Sequence, residues 1–439
     1  MNSLKKLSPF QIIIIVVFVL LAFGGLYLFA NFTGNNAANK IGAVVIWGTL
    51  PETVMTQELG TLSNVDNSYT KVTYVQIPAA SFDADLANAI ASGNSPDLIL
   101  ISQEQLLTEE NKLSIIPFSS ISQRSFIDTY LPENEMYLTA NGTYGIPFVL
   151  DPLVLYYNKT ILASAGVPLP PTTWEKVTGL TPPLTRLNPD QSIAQSTVSF
   201  GLYNNVENAR AILSLLLLQS GSTITETSSI GVRSTLARDD QNASGASSAT
   251  SALNFYTQFA DPSRTVYSWN ANFGSALQTF IAGNLAFYLG YASQEASLKA
   301  QNPNLNFDMA QIPQPQTASS ATDYGLAYAF AIPKASKNPS GSFATALALG
   351  GNSVLPAAAH ALSMAPSQRA LLTVSPTDTF EPIYYPEALV ARGWLSPAPA
   401  TTDAIFSAMI SNITSGRYQT HEAIPVADQA LNAALPSSP

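Results

Sequence analysis

Past residue 42 the chain alternates short apolar runs with segments of helical spacing. Ala43 to Trp47 (AVVIW) is a brief, fully apolar run, the pattern of a buried strand. Thr49-Leu50-Pro51-Glu52 follows as a T-x-x-E capping box with proline in the first turn, and predicts a helix to about Leu62. Val72 to Ile77 (VTYVQI) reads as a second strand. Ser81 is placed to cap a helix carrying Phe82, Leu86 and Ile90 on one face, stopped at Gly93-Asn94. Asp97 to Ser102 (DLILIS) is a third strand. This strand-helix order predicts an α/β fold with a parallel sheet and helices on both faces.

Tyr144 to Asn158 (YGIPFVLDPLVLYYN) is apolar, but Pro147 and Pro152 exclude a helix, so it reads as a strand pair bridging two units. Thr172-Thr173-Trp174-Glu175 is a second capping-box match, and Asn208 to Gln219 a strongly apolar helix. Arg233 to Thr250 is polar and Ser/Ala-rich, the composition of a loop. Ala252 to Ala260 and Asn272 to Ala282 read as helices, Leu285 to Tyr291 and Tyr324 to Ile332 as strands. Ile312 to Ala318 is a Pro/Gln surface loop, and the chain from Ser340 is mostly helical.

The first forty residues have a different pattern. Lys5 and Lys6 precede Ile12 to Ala30, nineteen residues without a charge. As a helix this run spans ~28 Å, close to the hydrocarbon thickness of a bilayer. The lysines place residues 1–11 in the cytoplasm and the bulk of the chain outside. The alternative is a cleaved signal segment, whose apolar region is ordinarily shorter and followed by an A-x-A-like site; only the Ala37-Ala38 pair approaches one. Both put residues 41–439 outside the cytoplasm, behind a polar tether at 31–40.

Composition narrows the chemistry. The chain has 439 residues, 46 % hydrophobic, which is enough for a large core and incompatible with a disordered protein. Nineteen basic residues against 29 acidic give a formal charge of −10, without the clustered Lys and Arg that nucleic acid requires. There is no cysteine, so disulfides, thiolate metal sites, a cysteine nucleophile and a lipid-modified cysteine are all excluded. The only histidines, His360 and His421, have no Asp, Glu or His at ligand spacing. No nucleophile elbow, zinc-protease or P-loop motif occurs, so the residues point to no catalysis and no cofactor.

Candidate binding residues sit near strand ends, where ligands of open α/β sheets bind. Trp47, Tyr156, Tyr157 and Tyr291, with Trp269, Phe273 and Tyr324, offer aromatic faces for stacking and polar tips for hydrogen bonds. A single tyrosine among them reads first as core packing, and Trp47 is the strongest candidate for a ligand contact. Asp151, between prolines in VLDPL, is either a ligand acceptor or a brace for its turn. Ser102-Gln103-Glu104 either faces a cleft or caps a helix with an acid in its first turn.

The run NGTYGIPFVLDPLVLYYNKTILASAGVPLPPTTWEKV resembles the maltose-type extracellular solute-binding proteins of ABC importers. It holds that family's Y-G-I-P element, its first interlobe crossing, the Y-Y-N-K strand end, the A-G-V turn and the P-x-T-W-E helix start, in order. SGNSPDLILIS, ALNFYTQFADP, FGSALQTFIAGNLAFYLGYAS, YGLAYAFAIPKASKNP and SGRYQTHEAIPVADQAL resemble further segments, with Phe287 where methionine is common. The chain departs from the family in having neither a lipobox cysteine nor a clear cleavage site.

The resemblance implies a two-lobed, periplasmic-binding-protein-like fold of type II behind an N-terminal transmembrane helix. Lobe 1 is expected at 41–149 and 292–334, lobe 2 at 153–287 and 338–439, with crossings near Phe148–Pro152, Tyr288–Tyr291 and Pro333–Lys337. It implies a small ligand, a sugar or oligosaccharide, held by Trp47, Thr49, Ser102, Gln103, Asp151, Tyr156, Trp269, Asn270, Gly290 and Tyr291. Arg369, if it faces inward, would admit an anionic ligand. The implied partners are that ligand, an ABC permease and the membrane, with the protein itself a monomer. A tethered sensor or adhesin on the same fold, and an extracellular carbohydrate-active enzyme, are the competing readings.

Overall fold

The computed structural model describes residues 41–228, 231–238, 247–373 and 378–436. The expected anchor at 12–30 and tether at 31–40 lie outside them. Among the described residues no helix is long and apolar enough to cross a membrane.

Strands β1 (Val44–Gly48), β2 (Val72–Gln76) and β3 (Leu98–Ser102) form a parallel unit in the order β2-β1-β3. Helices α1 (Glu52–Val65) and α2 (Phe82–Ala91) make the crossovers. Strand alternation sends Leu98 and Leu100 into one apolar cluster, with Met55 and Leu59 of α1, while Ile99 and Ile101 join Phe82 and Leu86 of α2 in another. The two helices thus cover opposite faces of the sheet. The capping box expected at Thr49 does not form. Pro51, extended at φ −55° and ψ 123°, takes the cap position, and Gln76 Oε1 accepts from Glu52 N at 3.1 Å. In the second expected box Thr173, one residue later than Thr172, caps helix Trp174–Leu184 by accepting from Lys176 N.

The sheet continues as β3-β8-β4-β6-β5, with β4 (Gly145–Asn158), β5 (Ile193–Val198), β6 (Leu285–Tyr291), β7 (Phe307–Ala310) and β8 (Asp323–Ala331). The expected strand pair at Tyr144–Asn158 is one continuous strand that changes partners. Residues 145–152 of β4 pair with β8; from Leu153 onward the strand pairs with β6, and Leu155–Asn158 also with β7. β4 is therefore shared by two lobes, and the exchange falls at Pro152, a residue with no amide hydrogen to donate.

Two expected boundaries move. β7 lies after residue 292 yet pairs with the second half of β4, so the chain stays with the second lobe through Ala310 and crosses over the stretch 311–322. Helices Pro339–Leu349 and Leu355–Leu362 bury Ala346, Leu349, Leu355 and Ala358 against Val44, Ile46 and Leu59, so they belong to the first lobe. The return follows the short pairing of Ala365–Pro366 with Leu150 and Val149. Helices Pro399–Thr414 and Thr420–Ala434 then pack with α3 (Ala209–Gln219) in the second lobe. The expected loop at 233–250 ends in structure on both sides: Gly231–Ser234 is a strand and Ser248 opens a helix. Helix Ala276–Ile281 is shorter than the expected Asn272 to Ala282.

Candidate functional site

Four of the expected site residues meet where β4 changes partners. Asp151 is buried, and its carboxylate accepts from Ser293 N at 3.1 Å and Ser293 Oγ at 2.6 Å. Burial pushes this acid up to about 7, with the Ser293 hydroxyl and amide pulling the other way. Tyr156 lies within an aromatic cluster of Phe280, Tyr288 and Phe307; its hydroxyl donates to the carbonyls of Tyr291 (2.8 Å) and Ala292 (3.0 Å). It ties β4 to the end of β6 and is closed to a ligand. Gly290 is closed as well: a Cβ there would stand 2.3 Å from Gln294 Oε1 and 2.7 Å from Tyr288 Cε1. Tyr291 is half-buried, and burial together with the Glu104 charge raises its hydroxyl well above the ordinary range.

The other six are dispersed. Gln103 is fully buried and acts as a bracket, donating Nε2 to Gly325 O (2.9 Å) and accepting from Ala327 N (2.7 Å). Ser102 is buried at the end of β3 and caps the turn Gln103–Gln105. Trp47 is half-buried against the large core, and Thr49 half-buried just beyond β1. Trp269 has no exposed surface; it stacks on Phe273 at 4.3 Å and donates Nε1 to Asn205 Oδ1 at 3.0 Å. Asn270 donates to the Tyr267 hydroxyl and accepts from Asn272 N. Gln103, Tyr156, Trp269 and Gly290 thus make structural contacts within the protein. Each is buried, and the polar side chains among them are satisfied internally. Arg369 is half-buried, and its Nε donates to the Tyr130 carbonyl at 2.7 Å.

The polar contact between lobes is made by residues outside that set. Glu104 follows β3 in the first lobe; Arg210 opens α3 in the second. They form a two-pronged ion pair, Nε to Oε1 at 3.0 Å and Nη2 to Oε2 at 2.8 Å. Tyr324, at the start of β8, donates to Glu104 Oε1 at 2.6 Å. On the other side Nη1 of Arg210 binds Asp403 of helix Pro399–Thr414, and the Tyr203 hydroxyl donates to the second Asp403 oxygen. Burial works to lower the Arg210 pKa, but Glu104 by charge and hydrogen bond, with Tyr324 and Asp403, together raise it, so the guanidinium stays charged. Arg210 was legible in principle, being the only charge in ARAILSLLLLQ, where a buried cation must find an anion. Asp403 carries no comparable local signal.

Beside this network a groove of about 260 Å³ is lined by Tyr203, Asn204, Asn205, Ala271, Ser407 and Ser411, among others. Its walls mix amides and hydroxyls with the apolar side chains of Leu202, Ala271 and Ile410, all from the second lobe. His360, without an acid neighbour in sequence, meets Glu381 in the fold, Nδ1 to Oε1 at 2.9 Å. Among the described residues no group of three His, Cys, Asp or Glu is arranged to hold a metal ion.

A strand shared by two α/β lobes, with a charged contact between them, defines a two-lobed ligand-binding protein. The chain belongs to the bacterial extracellular solute-binding proteins: that family's sequence profile matches residues 66–349. These are binding proteins, not enzymes. Solved structures share the fold at low identity. The GacH receptor of Streptomyces glaucescens, known unliganded and with acarbose, is 18 % identical over 90 % of this chain and 98 % of its own, with a TM-score of 0.70. The cyclic alpha-maltosyl-1,6-maltose binding protein of Arthrobacter globiformis is 16 % identical over 90 % and 99 %, with a TM-score of 0.72. The sugar-binding protein MalE of Xanthomonas citri is 16 % identical over 90 % and 97 %, with a TM-score of 0.70. No curated protein sequence matches the chain.

Proposed function

We propose that this is a membrane-anchored, extracytoplasmic solute-binding protein that captures a sugar or oligosaccharide between its lobes and delivers it to an ABC permease. The observation that carries the reading is the polar seam itself. Glu104, Arg210, Asp403, Tyr203 and Tyr324 meet across the lobes, and Tyr203 continues into a second-lobe groove that carries Asn204, Asn205, Ser407 and Ser411 beside Leu202 and Ile410. Such groups serve the many hydroxyls of a saccharide, and structural relatives bind acarbose and cyclic alpha-maltosyl-1,6-maltose. Ligand contacts to both lobes favour the closed state, which the permease reads; the free-energy difference between states is the differential affinity of the ligand. The uncharged run at 12–30, preceded by Lys5 and Lys6, supports anchoring with residues 41–439 outside.

The test is a thermal-shift screen of the full chain against mono- and oligosaccharides, with amino acids, polyamines and phosphorylated polyols as controls. A ligand at 100 times its dissociation constant adds about 2.7 kcal/mol, a visible rise in melting temperature. A saccharide response supports the reading. A response to a control class alone, or to nothing, refutes sugar capture.

A further inference from the structure

The cation in the interlobe seam is almost fully spent. A guanidinium has five N–H donors and no acceptor. Arg210 directs Nε and Nη2 at Glu104, and Nη1 at both Asp403 Oδ2 and the Pro399 carbonyl (3.3 Å), so four of its donors are engaged. Its side chain is 20 % exposed, and Glu104 only 4 %.

Asp403 differs. It is 45 % exposed, and each oxygen has one partner, Arg210 or the Tyr203 hydroxyl. An ionised carboxylate accepts about four hydrogen bonds, so capacity remains on the open side. Tyr203 connects this acid to the second-lobe groove, and Ser407, one turn after Asp403 on the same helix, lines it. One guanidinium stands against two carboxylates, so the local charge is negative.

We propose that Arg210 and Asp403 set the ligand class of the cleft. The guanidinium is withheld by the two carboxylates, and Asp403 presents acceptors, so the site takes neutral or cationic donor-rich saccharides and rejects anionic ones. This rests on the reading of the cleft as a saccharide site. An acidic sugar finds a single free donor on Arg210 and an unscreened carboxylate beside it, and like-charge contact costs affinity. Hydroxyl or ammonium donors complete Asp403.

The experiment measures binding of three pools to the full chain by calorimetry and thermal shift. They are neutral oligosaccharides (maltotriose, cellotriose, mannotriose, raffinose), glucosamine oligomers, and acidic oligosaccharides (trigalacturonate, sialyllactose). The wild type should bind a neutral or cationic pool and no acidic one. Asp403→Asn keeps the shape and removes the charge; it should narrow the discrimination against acidic sugars about tenfold. Asp403→Ser repeats the test should the amide perturb folding, which the unliganded melting temperature reports. Acidic sugar binding by the wild type, or unchanged discrimination in both folded variants, overturns this proposal and leaves sugar capture standing. Absence of any saccharide binding in every protein overturns sugar capture and this proposal with it.

Discussion

Asp151 supplies the sharpest test of how the lobes are joined. Its carboxyl is 3 % exposed and held by Ser293 and the Ala292 backbone, and burial lifts it to about 7 from an ordinary value near 3.8. The folded protein therefore keeps a proton on this group over a range in which the unfolded chain has released it. The associated stability is fully present below about pH 4 and is lost as pH rises through 7. A lift of about three units corresponds to roughly 4 kcal/mol. Asparagine imitates the protonated acid, so Asp151→Asn should be close to wild type at pH 4. It should gain about 3–4 kcal/mol relative to wild type by pH 8.

Urea unfolding followed by tryptophan fluorescence between pH 4 and 8 reads this difference. The wild-type curve alone is not informative, because Glu133, Asp323 and Glu387 are also buried, also shifted upward and also lose stability with rising pH. Only the difference between the two proteins isolates Asp151. A flat difference across the range would refute the reasoning, because it would mean that the native carboxylate is already ionised and solvated. Ser293→Ala removes the hydroxyl's hydrogen bond to the charged form while the backbone amide's remains, and should steepen the pH dependence.

Two further substitutions test the seam and the strand ends. Arg210→Met leaves the Glu104 carboxylate buried with only the Tyr324 hydroxyl as partner, and should cost about 3–5 kcal/mol in urea unfolding. Adding Glu104→Gln should recover most of that loss, and a single variant as stable as wild type would show that the pair is not buried. Gly290→Ala forces aside Gln294, whose Oε1 accepts from Tyr291 N and Asn208 Nδ2, and should cost about 1–3 kcal/mol. An unchanged melting temperature would mean that the end of β6 has room the packing denies.

The parallel unit was readable because its information is local. Each run from AVVIW to DLILIS is short, apolar and bounded by turn or cap residues, and βαβ handedness does the rest. The lobe boundaries were not, because they depend on long-range pairing. Nothing near Phe307–Ala310 announces that it will lie against Leu155–Asn158, so the chain was expected to leave the second lobe nearly twenty residues early. The packing around the expected site residues was hidden for a related reason. Tyr156 and Trp269 were chosen as platforms, but a large ring is most stabilising when buried with its polar tip satisfied, as both are here. Glu104 was visible only as an acid after a strand, which reads equally as a cap. Its partner lies 106 positions away, beyond any pattern of local spacing.

The core of this protein runs unbroken through both lobes, from Ile99 and Ile101 to Ile212 and Leu216. Apolar packing of that kind is not exchanged for solvent at low cost. Charged contacts are different, since each hydrogen bond lost to a neighbour is regained from water or from a ligand, and the net change is small. The Glu104–Arg210–Asp403 seam is therefore the part of the lobe contact that can be opened and remade. Because it already joins the lobes, a ligand that enters it exchanges contacts more than it adds them. Its affinity then depends on how well its donors replace those of a guanidinium, and only the surplus shifts the equilibrium toward closure. Under the proposed sugar capture, selectivity follows from hydrogen-bond polarity and charge ahead of shape, which places Arg210 and Asp403 above the buried aromatics in setting it.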